Sequence, residues 1–114
     1  MTPVTTAAPT AADRRILGLL QALADENRLR ILEALRGGEA CVCELQETLD
    51  LGQSLLAHHL RVLREAGLVQ DRRDGRWIHY SLVTAALREA EQGLASLRAA
   101  SESPRRARPS PCAP

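Results

Sequence analysis

Lysine is missing from this chain: all fifteen basic residues among its 114 are arginine. A planar guanidinium suits bidentate contacts to phosphate or guanine, although codon usage alone produces the same bias. Phenylalanine is absent too, and Trp77 and Tyr80 are the only aromatics. A core must therefore be built from Leu, Ile, Val and Ala. No apolar run approaches the roughly 18 residues that a membrane-spanning helix needs. The opening MTPVTTAAPTAAD has neither the basic start nor the apolar centre of a secretory leader. A cytoplasmic location, with no membrane partner, is the expectation. Cysteine is scarce: Cys41, Cys43 and Cys112. In a reducing compartment these are expected as free thiols rather than a disulfide framework. Charge of one sign is also lacking, since the formal net charge is +1. Any nucleic-acid surface must then be local.

What is present fits one globular domain with tails, at 45% hydrophobic and 25% charged residues. Residues 1–12 hold no apolar period and read as a flexible arm. Residues 101–114, with four prolines and three arginines, read as a disordered tail. Between them, 13–100 form the expected domain. Asp13 is expected to cap a first helix with Ile16, Leu17, Leu20 and Leu23 on one stripe. Asp25 opens a second, with Leu29, Ile31, Leu32 and Leu35 inward, and Gly37-Gly38 stops it. A short third helix covers 43–49. After a turn at Asp50-Leu51-Gly52, a fourth runs from Gln53 to about Ala66, burying Leu56, Leu60 and Leu63. The period then changes. Residues 68–73 and 76–82 flank Asp74-Gly75, a strong hairpin signal. A last helix from Thr84 to about Ala100 carries Leu87, Ala90, Leu94 and Leu97.

Two short helices joined by a tight turn, then a hairpin, make a winged helix-turn-helix of mainly α (α+β) class, with a C-terminal helix expected to pair with a second copy. The helix after the turn enters the major groove and the wing reaches the backbone or minor groove. Gln53, Ser54, Ala57, His58 and Arg61 are the expected groove-facing positions, Gln suiting adenine and Ser either base edge or phosphate. Arg64 suits phosphate. Arg72, Arg73 and Arg76 gather at the hairpin tip as a phosphate clamp. From Arg61 to Arg76 there are five arginines against three acids, so this segment is basic in a nearly neutral chain. A solvated helix and a solvated turn would also carry such residues. His58 and His59 point about 100° apart on a helix, so one of them is expected to pack against the preceding helix. No phosphate-cradling glycine loop, oxyanion arrangement or Cys-x-x-Cys is present, which argues against an enzyme.

The runs Asn27-Arg28-Leu29-Arg30-Ile31-Leu32, Cys41-Val42-Cys43-Glu44-Leu45 and His58-His59-Leu60-Arg61-Val62-Leu63-Arg64-Glu65-Ala66-Gly67-Leu68-Val69 resemble the ArsR/SmtB family of metal-sensing repressors. The Cys-Val-Cys is similar to that of the arsenite-responsive branch. The resemblance implies a homodimer paired through its first and last helices, bound to double-stranded operator DNA and released by a metalloid. Three positions depart from the family pattern. Asp50 stands where Gly is usual and tolerates a left-handed turn, Gly52 stands where Ser is usual, and Ala57 replaces a frequent Ser. The last helix has no His, which argues against the zinc site that relatives carry there.

Soft thiolates select soft ions, so arsenite or antimonite at Cys41 and Cys43 is the expected effector, with no resident cofactor. A helix N-terminus favours the thiolate. On an ideal helix residues i and i+2 point about 200° apart, so sharing an ion is expected to unwind the first turn. The competing expectations are a redox-responsive thiol pair and other soft metals such as cadmium, lead or mercury. A Cys-x-Cys disulfide closes a small ring, which weighs against the redox reading. A third is a winged helix that contacts proteins alone. Cys112 has two readings, a third ligand (from either subunit) and a bystander thiol.

Overall fold

The computed structural model describes residues 8–102. Most of the expected arm, most of the expected tail, and Cys112 lie outside the described residues. The order is α1 (Ala11–Leu23), α2 (Glu26–Ala34), β1 (Ala40–Cys41), α3 (Val42–Leu49), α4 (Gln53–Glu65), β2 (Val69–Asp74), β3 (Trp77–Leu82) and α5 (Thr84–Glu102). The four helices, hairpin and closing helix are those expected, and β1 is an additional strand.

Local chemistry fixes the helix starts. The cap of α1 is Thr10 rather than Asp13: the Thr10 hydroxyl accepts from the Asp13 N–H at 3.1 Å, and the Asp13 carboxylate accepts from the Thr10 N–H at 3.0 Å. Asp13 is thus the fourth residue of a reciprocal capping box. Asp25 caps α2 as expected, accepting from the Arg28 N–H at 3.0 Å. Asp50 closes α3 in the left-handed conformation, φ 52° and ψ 45°.

Leu19, Ile31, Leu35, Leu45, Leu56, Leu63 and Leu68 are fully enclosed, and Tyr80 is the aromatic of this core. The aliphatic interior expected from composition is what forms. Arginines tie its elements together. Arg15 pairs with Glu89 of α5 at 3.0 Å and donates to the Ala66 carbonyl, past the end of α4, at 2.8 Å. Arg30 donates to the Leu49 carbonyl at 3.0 Å, satisfying an orphan acceptor in the last turn of α3.

The sheet has the order β1-β3-β2, all antiparallel. Asp74 faces Trp77, so the hairpin loop is Gly75-Arg76, one residue later than a turn centred on Asp74-Gly75. Gly75 has φ +63° and Arg76 has no positive φ, the pattern of a type II′ turn with glycine first. β1 adds to the other side of β3, pairing Ala40 with Tyr80 and Cys41 with His79. The segment that carries the cysteines is therefore part of the wing's sheet.

Candidate nucleic-acid interface and thiol site

α4 buries Leu56, His59, Leu60 and Leu63 and turns its other side outward. Gln53, Ser54, Ala57, His58, Arg61 and Arg64 are all exposed, as are Arg72, Arg73 and Arg76. Gln53, Ala57, Arg61 and Arg64 share one side of the helix. Together with Val42, Ile78 and Tyr80 they line a groove of about 320 Å³ between α4 and the wing. Gly52 caps α4 without a side chain, leaving N–H donors of its first turn open. His59 is the packed histidine of the pair, 5% exposed. Its Nδ1 accepts from the Arg28 guanidinium at 3.2 Å and lies 3.8 Å from Asp25. Arg28 also donates to the Ala22 carbonyl at 2.7 Å. Burial depresses the His59 pKa below its ordinary value despite the nearby Asp25.

The three wing arginines are not equivalent. Arg72 grips Glu39 with two bonds, 2.6 and 3.0 Å, and holds that carboxyl below the usual carboxylate range. His79 Nδ1 lies 3.9 Å from the same carboxylate. The Arg76 guanidinium sits over the Trp77 ring, 5.6 Å from its centroid. Glu39 carries no local sequence signal. It stands two residues before Cys41, and only the pairing of β1 with β3 brings it to Arg72.

Cys41 is the cap of α3, with extended backbone (φ −81°, ψ 160°). Its Sγ accepts from the Glu44 N–H at 3.3 Å, and the Glu44 carboxylate accepts from the Cys41 N–H at 3.1 Å. This is a capping box with sulfur in the hydroxyl's place. Cys43 lies in the first turn, and the structure joins the two cysteines as a disulfide with Cα atoms 5.4 Å apart. The expectation of free thiols is corrected here. So is the premise behind the expected unwinding on ion binding, that both cysteines lie on one helix. Because Cys41 is extended and outside it, the sulfurs converge while α3 keeps its first turn. Cys41 is buried and Cys43 exposed. Among the described residues no group of three or more His, Cys, Asp and Glu side chains gathers to hold a metal ion.

An outward-facing helix beside an arginine-bearing hairpin, on a small helical core, defines a winged helix-turn-helix DNA-binding protein. Residues 25–71 match the family model described as bacterial regulatory protein, arsR family. Over 65 residues the chain is 49% identical to the arsenical resistance operon repressor of Escherichia coli K12, covering 56% of each protein. It is 48% identical to the arsenic resistance transcriptional regulator ArsR1 of Pseudomonas putida, also over 65 residues, covering 56% of this chain and 51% of that protein. The chain thus matches about half the length of these curated relatives. A solved structure described as a possible transcriptional regulator for arsenical resistance superposes with TM-score 0.65 at 31% identity, covering 77% of this chain and 98% of that one. The chain belongs to the arsR family of bacterial transcriptional regulators, which are DNA-binding proteins and not enzymes. No helix among the described residues is long and apolar enough to cross a membrane.

Proposed function

We propose that this protein is a repressor that binds operator DNA as a homodimer and leaves it when arsenite or antimonite binds Cys41 and Cys43. The observation that carries the reading is the convergence of the two sulfurs at the joint between β1 and α3. The arsenical-resistance names of the relatives at 48–49% identity support it. As(OH)3 condenses with two thiols to a dithiolate, releasing two waters and keeping one hydroxyl. An external thiol, or Cys112, could replace that hydroxyl.

Gln53, Ser54, Ala57 and His58 would face base edges, and Arg61 and Arg64 phosphates. Arg73 and Arg76 would clamp the backbone at the wing. Arg72 would act through its Glu39 contact. An ion between two sulfurs separates them more than a bond does. Cys41 is a rung of the wing's sheet opposite His79, so insertion would shift the wing relative to α3 and α4. Differential affinity for the shifted state then lowers the DNA-competent population.

The test is a mobility shift on a duplex selected from a random-sequence pool, with protein reduced by a phosphine. Arsenite should release the wild type, while Cys41→Ser and Cys43→Ser bind DNA and ignore arsenite. Release of both variants would place the sensor elsewhere. The disulfide favours one second reading, a redox switch in which peroxide takes two electrons from the thiol pair and yields two waters. Peroxide releasing the operator while arsenite does not would establish that reading instead.

A further inference from the structure

Beside Cys43 the surface opens into a cavity of about 240 Å³, lined by Val42, Cys43, Gln46, Arg76, Trp77 and Ile78. Three of these are apolar, and one is an indole half-exposed at the hairpin tip. We propose that this cavity holds the third substituent of the effector, so that the site takes aryl-substituted trivalent arsenicals in preference to smaller ones. The inference rests on the reading that Cys41 and Cys43 bind trivalent arsenic. Two sulfurs leave one valence of the arsenic. Among the described residues no third ligand gathers there, and Cys43, an exposed residue, forms part of the cavity wall. A carbon substituent on arsenic has the same bond to make whether it is methyl or phenyl, but only the ring fills the space. The space is open to solvent on one side, and its volume exceeds the roughly 150 Å³ in which an enclosed apolar cavity takes benzene, so a phenyl group has room here. Trp77 and Ile78 offer it an aromatic and an aliphatic wall. The condensation is balanced: phenylarsine oxide and two thiols give the dithiolate and one water, with arsenic trivalent throughout.

The experiment is equilibrium dialysis of phosphine-reduced full-length protein against phenylarsine oxide, methylarsonous acid and arsenite. Dithiothreitol is the competing dithiol, and bound arsenic is counted directly. Competition cancels the intrinsic taste of any dithiol for each arsenical. The wild type should prefer phenyl over methyl by about tenfold beyond dithiothreitol's own ratio, the size of one aromatic pair with its buried area. Trp77→Ala should lose that excess and Trp77→Phe should keep most of it. The emission of Trp77, the chain's one tryptophan, should respond more to phenyl than to methyl. If both organoarsenicals bind with the ratio shown by dithiothreitol, the cavity plays no part and the inference falls while the arsenical reading stands. If arsenite outcompetes both and Cys112→Ser removes its advantage, a third sulfur occupies that valence and the inference is likewise overturned. If none of the three binds, the arsenical reading itself fails.

Discussion

At the scale of single residues, three side chains hold positions that other residue types fill badly, and each makes a prediction. The Cys41 sulfur caps a helix and, under the proposed function, also holds the effector. Cys41→Ser and Cys41→Ala both abolish the disulfide, but only serine can accept from the Glu44 N–H. Chemical denaturation should find the alanine variant less stable than the serine variant by about 1 kcal/mol. Equal midpoints would mean that the cap contributes nothing. Asp50 holds φ 52° without being glycine, and a β-branched side chain there meets the following carbonyl. Asp50→Val should cost about 1–2 kcal/mol. His59 makes stability depend on pH. Its native pKa lies below the unfolded value near 6.5, so between the two the unfolded state binds the extra proton. Its contribution is complete above about pH 6.5 and is lost as pH falls through the native pKa. The midpoint of thermal unfolding should drop between pH 7.5 and 5.5, and His59→Gln should flatten that drop. A slope unchanged in His59→Gln would assign it to other groups.

At the scale of elements, the wing is where charge counting and structure part. Arg72, Arg73 and Arg76 look alike in sequence, yet Arg72 spends its guanidinium on Glu39. Each lost phosphate contact reduces the salt dependence of DNA binding by about one counterion. Arg73→Ala should lower the slope of log K against log salt by about 1, and Arg72→Ala should leave it within a few tenths. Equal reductions would show that Arg72 abandons Glu39 for phosphate on DNA. This contrast also marks what sequence could reveal. The helices were legible because Leu repeats every three or four residues and Asp25 and Gly37-Gly38 punctuate them. The hairpin was legible from its turn, to within one residue. β1 was not: two residues, Ala40 and Cys41, carry no period, and only pairing with Tyr80 and His79 defines them. With β1 hidden, the extended cap at Cys41, the Glu39 latch and the cavity by Trp77 were hidden as well. The latch and the cavity depend on residues more than thirty positions apart. The extended backbone of the cap depends on the pairing of Cys41 with His79, although its capping partner Glu44 is three residues on.

At the scale of the whole molecule, the last helix leaves part of its apolar stripe uncovered. Its apolar stripe is covered at first, with Ala90 5% exposed, and then runs into solvent at Leu94 and Leu97, 50% and 69% exposed. α1, which packs on α5, adds Leu17 at 53%. The two helices approach closely because residue 93 is glycine: a Cβ there would collide with the Ile16 side chain. Glycine inside a helix costs about 1 kcal/mol against alanine, so packing against Ile16 explains its place. A second copy is the occupant that suits this face, because a single short recognition helix and a net charge of +1 bind DNA weakly. Two joined modules read half-sites about one helical turn apart and gain roughly 10²–10⁴ in affinity over one. Leu97→Glu should therefore yield a monomer by sedimentation, with an unchanged far-ultraviolet spectrum and operator affinity reduced by about a hundredfold or more. Leu29→Glu is the control. Leu29 is also an exposed leucine, at 48%, but lies on α2, and its substitution should leave the dimer intact. A Leu97→Glu protein that stays dimeric and binds DNA as before would mean that the uncovered end of α5 serves some other contact.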